Sequence, residues 1–465
     1  MSNNGGNIKL QKNQEEFIKI IKQKNEGKNL KYSIITMGCQ LNENDSEKIA
    51  GMLENMGYLK IDNYKEADLV IFNTCCVREN AEERLFGKIG EIKKIKEYKN
   101  VILAIGGCMM QEKNMLEKIK RSYPFVNVVF GTHTMQNLPE NIYKTIVKNE
   151  KVKDVIDIDG EIYEGLPIKR NSQYKASVTI MYGCNNFCTY CIVPYVRGRE
   201  RSREPEKILE EIEGLAKEGY KEVTLLGQNV NSYVGNGEIK KFSDLLNTVC
   251  KIEGIERVNF ISPHPKDFTD DVIEAIANNQ KISRIIHLPL QSGNTKVLKE
   301  MNRKYTKEQY LNLVDKMKSR IQDLALSTDI IVGFPGETEE DFEDTLDVVQ
   351  KVNFEQIFMF IYSKREGTVA ADRDDQIPEE IKHKRFDKLK ELYESRVDGN
   401  NEKYLNTIQQ LLIEGKSKNN ENMLEGRTTT NKVVIFNQNE DNKIGDIVSV
   451  KITETHKWYL KGEIV

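Results

Sequence analysis

The stretch "VTIMYGCNNFCTYCIV", residues 178–193, joins two signals that decide how the chain is read. Its first half is a short β-branched run closed by a glycine, the pattern of a strand that stops at a turn. Its second half is a C-x3-C-x2-C run that places Cys184, Cys188 and Cys191 within eight residues. That spacing is too tight for three independent buried cysteines, and a paired-knuckle zinc site would need a fourth Cys or His at a compatible distance. The five His lie at 133, 264, 287, 383 and 456, none of them nearby. A four-iron cluster is held by Cys thiolates, and three of them leave one iron open to an outside ligand.

Working outward, the strand in this stretch is the first of six. The runs "KASVTIMYG", "KEVTLLG", "ERVNFIS", "SRIIHLPL", "ALSTDIIVGF" and "FEQIFMFIYS" begin near 175, 221, 256, 283, 325 and 354, with stretches of helical period such as "EPEKILEEIEGLAKEG" between them. Six consecutive βα units predict a barrel or part of one, whose chemistry lies at the carboxyl ends of its strands. The Cys run falls at the end of the first.

Upstream, "YSIIT", "ADLVIFN", "NVILAIGG" and "VNVVFG" predict four parallel strands near 32–36, 67–73, 100–107 and 126–131, a small doubly wound domain. Cys39, Cys75 and Cys108 each follow one of the first three strands, and such turns share one edge of an open parallel sheet, where ligands bind. Any one of these Cys would pass as a buried small residue; three at equivalent positions point to a metal site. Cys76 is adjacent to Cys75 and points the other way on an extended strand, so Cys75 is taken as the ligand. Cys250, in "LLNTVCKI", reads as core.

The fold class expected is therefore α/β: a doubly wound N-terminal domain over 30–149, a connection over 150–174 that loses the rhythm, and a partial (β/α)6 barrel over 175–400. From "QQLLIEG" onward, short strands alternate with polar turns, so residues 401–465 predict a small all-β barrel. Residues 1–29 hold six Lys and three acidic residues without a long apolar run, and are expected as a loose, partly helical extension rather than a signal or an anchor. No run is apolar enough to span a membrane, and a cytoplasmic location is expected. Eight Cys without an export signal suit a reducing compartment. A net charge of -3 and pI near 6.2 give no global footprint for nucleic acid, so any RNA contact must be local.

The Cys184, Cys188, Cys191 run after a first barrel strand resembles the radical S-adenosylmethionine enzymes. That resemblance implies a 4Fe-4S cluster whose open iron is chelated by S-adenosyl-L-methionine. Adding Cys39, Cys75 and Cys108 upstream and a β module downstream, the layout resembles the methylthiotransferases from about residue 30 to the end, which implies a second 4Fe-4S cluster and a terminal TRAM-like RNA-binding module. The motifs "IVPYVRGRERSR" and "LLGQNVNSY" resemble the branch known as MiaB, which methylthiolates N6-isopentenyladenosine at position 37 of tRNA. The implied chemistry is a 5'-deoxyadenosyl radical removing hydrogen from carbon 2 of the adenine, with a methylthio group delivered from the first-domain cluster. The implied partners are the tRNA anticodon stem-loop and a reductant such as a flavodoxin or ferredoxin. The other readings are the same chemistry on threonylcarbamoyl-adenosine or a ribosomal-protein aspartate, and a non-catalytic iron-sulfur RNA-binding protein.

Arg197, Arg199, Arg201 and Arg203 are suited to phosphates or a carboxylate, or form a solvated charge run paired with nearby Glu residues. Gln228, Asn229 and Asn231 are suited to base-edge reading, or mark a turn. The resemblance implies that "DIIVGFPGET", with Asp329, Gly333, Gly336 and Glu337, lies near S-adenosylmethionine; its Gly and Pro serve equally as punctuation. Residues 401–465 carry nine basic and nine acidic side chains. There Tyr404, Phe436, Trp458 and Tyr459 are available for stacking on bases, or for the core.

Overall fold

The computed structural model describes residues 4–76, 81–156, 161–418, 420–438 and 441–465. Two compact units are present. One takes in the chain up to Asn171 together with Tyr182–Asn185 and Cys191–Arg201; the other holds the rest.

The first unit is built on a parallel sheet of β1 (Lys31–Thr36), β2 (Leu59–Lys60), β3 (Leu69–Thr74), β4 (Ile102–Gly107), β5 (Val128–Phe130) and β6 (Val152–Asp154), in the order β2-β1-β3-β4-β5-β6. This is a doubly wound order, and the strand order reverses between β1 and β3. Along β3, Leu69 and Ile71 pack into one hydrophobic cluster and Val70 and Phe72 into another, all fully buried. A central parallel strand covered on both faces reads as an unbroken apolar run for this reason. One face is covered by α1 (Asn4–Asn25), α2 (Gln40–Asn55) and α5 (Leu138–Lys148), the other by α3 (Ala81–Ile95) and α4 (Lys113–Ser122).

Two expectations change here. Residues 1–29 are not a loose extension where they are described: Asn4–Asn25 is one helix, with Ile21 fully buried beside Ile49 and Leu53 and with Phe17 ring-to-ring at 5.0 Å from Tyr143. Its apolar residues Phe17, Ile18 and Ile21 share a helix face that composition alone does not reveal. The expected connection over 150–174 opens with β6, paired in parallel with β5, and so begins inside the sheet. Of that connection, residues 157–160 lie outside the described residues. Farther on, Pro167 passes against Gly51 of α2, whose missing side chain makes the approach possible: a Cβ there would stand 2.3 Å from the Pro167 carbonyl oxygen.

The second unit holds six parallel strands: β7 (Lys175–Thr179), β8 (Glu222–Leu226), β9 (Arg257–Phe260), β10 (Ile285–His287), β11 (Ala325–Val332) and β12 (Gln356–Ile361). They pair in chain order as two sets of three, joined by a parallel bridge from Val258 to Ile282. The alternating residues Val178, Val223, Val258, Ile286, Ile330 and Ile357 are buried in one core with the surrounding helices. The alternate residues of each strand face the other way, toward the inside of the half-barrel.

A closed five-stranded barrel follows, made of β13 (Ile408–Ser417), β14 (Asn420–Arg427), β15 (Val433–Asn437), β16 (Ile447–Thr455) and β17 (Leu460–Ile464), in the order β13-β14-β15-β17-β16. Its strand "NENMLEGR" is too polar to have been picked out by its pattern. Within this unit Lys175 pairs with Glu414 at 2.7 Å and Arg257 donates to the Arg427 carbonyl at 3.1 Å. No helix among the described residues is long and apolar enough to cross a membrane.

If the N-terminal helix packs as described, Ile21→Ala lowers the unfolding free energy by about 2–5 kcal/mol. Denaturant unfolding of the full chain checks this; a change under about 0.5 kcal/mol would place the helix outside the core.

Candidate functional site

In the first unit the carboxyl ends of β1, β3 and β4 carry Cys39, Cys75 and Cys108, on either side of the reversal in strand order. The turns are held by a dense polar network. Asn42 donates to the Thr74 carbonyl at 3.0 Å, and Asn73 donates to the Asn42 carbonyl at 2.8 Å and to Ser46 at 2.9 Å. Gly107 adopts φ +97°, and a Cβ on it would stand 2.4 Å from the Thr74 carbonyl oxygen. Only glycine serves in such a place, and it delivers Cys108 to the first position of a short 3-10 helix, Cys108–Gln111. Cys39 caps α2, is exposed and donates to Asn42 at 3.3 Å.

Cys75 and Cys76 are both buried, and it is the Cys76 thiol that hydrogen-bonds Cys108. The Cys76 donor and the Arg197 guanidinium bring the Cys108 thiol down to about 6, against the opposing effect of burial. Cys76 is pushed up in turn, by that same bond and by burial. The strand-alternation argument that set Cys76 aside does not hold at this point, because the strand has ended at Thr74 and the backbone is turning. Among the described residues, no three His, Cys, Asp or Glu are drawn together as a metal-holding group. The donor set still suits one: thiols on a single sheet edge, one of them deprotonated near neutrality, with a buried cation beside it.

That cation is Arg197, at the end of α6 (Val193–Arg197). Its Nε donates to Cys108 Sγ at 3.2 Å and its terminal nitrogen to Asp45 at 2.8 Å. It is buried, so it does not face a phosphate as its motif suggested. Arg203 departs from that expectation in the same way, since it is buried and donates to the Thr179 carbonyl and to Glu211, both at 2.7 Å. Arg199 is exposed and Arg201 half-buried, with Arg201 bonded to the Arg197 carbonyl at 3.0 Å. In the same unit Cys184 is buried, and its N–H donates to the Gly198 carbonyl at 3.1 Å. Cys191 is half-buried.

In the second unit the loop carrying Cys188 is fastened by residues that sequence reasoning missed. Asn302 donates to the Asn186 and Phe187 carbonyls at 3.0 and 2.9 Å, and Thr189 donates to the Glu300 carbonyl at 2.9 Å. Arg303, fully enclosed, directs one nitrogen to Cys188 Sγ at 3.7 Å, another to Tyr305 at 2.9 Å and a third to the Pro289 carbonyl at 2.8 Å. The only sequence signal was the polar "MNRKY", which directly follows the short helix Thr295–Glu300.

The other expected residues divide. Asn229 is buried with its amide on Asp267 at 2.8 Å, and Asn231 exchanges two bonds with the backbone of His264, so these amides serve the fold rather than a base edge. The Gln228 side-chain oxygen is buried without a protein partner. Asp329 lies on the concave face, 3.3 Å from His287. Gly333 and Gly336 adopt φ +72° and +76°, shaping the loop after β11. Glu337 is turned inward: it accepts from the Gly333 N–H at 2.7 Å and pairs with Arg385 at 2.8 Å, while burial raises its carboxyl to about 7. It holds the loop and is not open to a cofactor. Tyr404 and Phe436 are core residues of the terminal barrel; Trp458 is exposed, with the Lys457 ammonium 5.3 Å from its ring.

Comparison with known proteins follows this geometry. Residues 178–349 match the radical SAM superfamily, residues 31–131 the uncharacterized protein family UPF0004 and residues 402–465 the TRAM domain. The chain is 54% identical over 436 residues to a tRNA-2-methylthio-N(6)-dimethylallyladenosine synthase of Clostridium tetani, covering 93% of this chain and 96% of that one. It is 51% identical over 456 residues to the protein of that name from Thermoanaerobacter pseudethanolicus, covering 98% and 97%. Among solved structures it is similar in fold to the radical S-adenosylmethionine methyltransferase TsrM of Kitasatospora setae, with a TM-score of 0.53 and 15% identity over 74% of this chain and 77% of that one.

The buried pair makes a sharp prediction. Arg197→Met strands Asp45 in a dry site and is expected to cost roughly 3–5 kcal/mol, whereas Arg199→Met is expected to change stability by less than about 0.5 kcal/mol. Equal thermal shifts for the two variants would show that Arg197 carries no buried role.

Proposed function

Because the chain belongs to the tRNA-2-methylthio-N(6)-dimethylallyladenosine synthase family of radical S-adenosylmethionine enzymes, we propose that it converts N6-isopentenyladenosine at position 37 of tRNA to its 2-methylthio derivative. The observation that carries this reading is the C-x3-C-x2-C run set directly after the first strand of a six-stranded parallel half-barrel. Carbon 2 of adenine bears an unactivated hydrogen that no acid-base pair removes at neutral pH.

Cys184, Cys188 and Cys191 would hold one 4Fe-4S cluster with an iron left for S-adenosyl-L-methionine, and Cys39, Cys75 and Cys108 a second. When bound, these groups would supply the electron that cleaves one S-adenosylmethionine to a hydrogen-abstracting radical, and the sulfur that, with a methyl group from a second S-adenosylmethionine, becomes the methylthio group. The rest is the work of the chain. Asn302 and Thr189 fix the loop of Cys188, and the buried Arg303 directs N–H toward its sulfur. Gly107 fixes where Cys108 stands, and Arg197 offsets the charge of its thiolate. Gly333 and Gly336 set the turn against which S-adenosylmethionine would lie, with Asp329 on the strand before it.

For the RNA, the groups that reach solvent are Arg199, Arg201 and Trp458, suited to phosphates and to a stacked base. The unpartnered Gln228 oxygen is an acceptor for an exocyclic N–H. A one-electron donor such as a flavodoxin or ferredoxin, in the cytoplasm, completes the reading.

The test starts with iron and acid-labile sulfide on anaerobically reconstituted protein. The intact chain is expected to hold about eight irons and the Cys184→Ala/Cys188→Ala/Cys191→Ala variant about four. Cys75→Ser is expected to lose the other four and Cys76→Ser to keep them; the reverse would move the ligand to Cys76. Methylthiolation of tRNA from cells lacking the activity, read by nucleoside mass, then decides the substrate. Product on threonylcarbamoyl-adenosine alone would overturn the isopentenyl assignment.

A further inference from the structure

The concave face of the half-barrel carries an apolar patch that the fold does not use. Strand residues alternate between faces, and Ile357, Met359 and Ile361 of β12 pack toward the helices. Phe358 and Phe360 therefore point the other way, and they remain 43% and 50% exposed. Their neighbours in register are Asp329 and Ile331 of β11. His287 meets the Phe358 ring at 5.8 Å, edge to face, and is itself tied to Ser327 at 3.1 Å and Asp329 at 3.3 Å. Two large aromatic rings left open inside a concave, otherwise polar surface mark a place where an apolar group is meant to be covered.

The charges on this face limit what that group is. The basic side chains on the strands of the concave side, Lys175 and Arg257, stand at the amino-terminal ends of β7 and β9 and are paired with Glu414 and Glu222. Level with the two rings stand the Asp329 carboxylate and His287, whose two nitrogens are both engaged. An anionic substituent would meet a carboxylate there with no strand cation to pair it, which is costly in a desolvated site. A branched hydrocarbon needs no hydrogen bond and gains from each ring it covers.

We infer that Phe358 and Phe360, with Ile331 beside them, receive the dimethylallyl group of the substrate adenosine, and that Asp329 makes the same face reject the carboxylate of a threonylcarbamoyl group. This rests on the substrate reading above and adds the residues that enforce it.

The test uses the reconstituted full chain and three anticodon stem-loop oligonucleotides, carrying adenosine, N6-dimethylallyladenosine or N6-threonylcarbamoyladenosine at the target position. Affinity is read by fluorescence anisotropy and KM by methylthio product. The intact chain is expected to prefer the dimethylallyl RNA over the unmodified one by about tenfold or more, in the range that a few buried methyl groups supply. Phe358→Ala/Phe360→Ala is expected to erase most of that preference, and Phe358→Leu/Phe360→Leu to regain part of it. Phe360→Lys, which puts a cation on the face, is expected to improve binding of the threonylcarbamoyl RNA by several-fold.

Equal losses on dimethylallyl and unmodified RNA would overturn the inference. So would weaker binding of S-adenosylmethionine with the RNA preference intact, or a lysine variant with no gain and an unchanged preference. An intact chain that modifies the threonylcarbamoyl RNA alone would instead overturn the substrate reading itself.

Discussion

In a βα repeat every strand is parallel to its neighbours and is left at the same edge, and that constraint decides where each reactive side chain in this chain stands. In the first unit it carries Cys39, Cys75, Cys76 and Cys108 to one edge of a single sheet although more than thirty residues separate the turns. The reversal of strand order between β1 and β3 opens a crevice there, since the following helices pass to opposite faces. In the second unit it sets the loop of Cys188 and the turn of Gly333 and Gly336 at the carboxyl ends of their strands. The glycines are the local cost of the arrangement. Gly107 stands where the Thr74 carbonyl leaves no room for a Cβ, so the chain can turn directly from β4 into the residue that bears sulfur.

Each unit also sets a buried arginine against a cysteine sulfur, Arg197 on Cys108 and Arg303 on Cys188. Burying a guanidinium is expensive unless every direction of its fork is met. Arg197 is met by Asp45 and by the sulfur; Arg303 by Tyr305, a carbonyl and the sulfur. The Cys108 sulfur is not simply a filler of apolar space, because the Arg197 N–H points at it and, with the Cys76 donor, lowers its thiol to about 6. A thiolate at Cys108 suits that contact, and a thiolate is what a metal ligand must be. Arg197 thus favours at Cys108 the charge state that ligation requires, and it does so from a stretch whose sequence looks like a solvent-facing basic run.

What was legible in the sequence follows from how far each signal is local. The longer strands of both units were visible because buried strands are apolar without interruption, whereas the short β2 and β6 were not, and the placing of Cys39, Cys75 and Cys108 after strand ends followed from counting strand-to-helix turns. The packing of the helix Asn4–Asn25 was hidden, although helix was partly expected there, since its buried stripe is narrow and its composition is dominated by Lys, Asn and Gln. The strand Asn420–Arg427 was hidden because a small closed barrel takes polar residues on its outer face. The role of Arg197 was not legible because the partner that withdraws it, Asp45, lies 152 residues away, whereas Arg203 pairs with the nearby Glu211 as the alternative reading had it, but buried rather than solvated. Cys76 was set aside on strand alternation, which holds only while the strand continues, and β3 ends two residues earlier.

These burials bear on how an RNA would be held. Two of the four clustered arginines are turned inward and the terminal barrel is balanced in charge, so these two regions add little to phosphate neutralisation, the term that falls steeply with salt. What remains at the surface is suited to an unpaired loop: Arg199 and Arg201 for the backbone, and Trp458, exposed beside the Lys457 ammonium, for a base face. A duplex offers no free base faces to such a set, whereas a loop nucleotide does. The apolar rings of Phe358 and Phe360 belong to the same logic, because they reward a substituent that only a base already splayed from its stack can present. Recognition by stacking and by an apolar tail is specific without being strongly charged, which is consistent with a net charge of -3 in a protein whose proposed substrate is RNA.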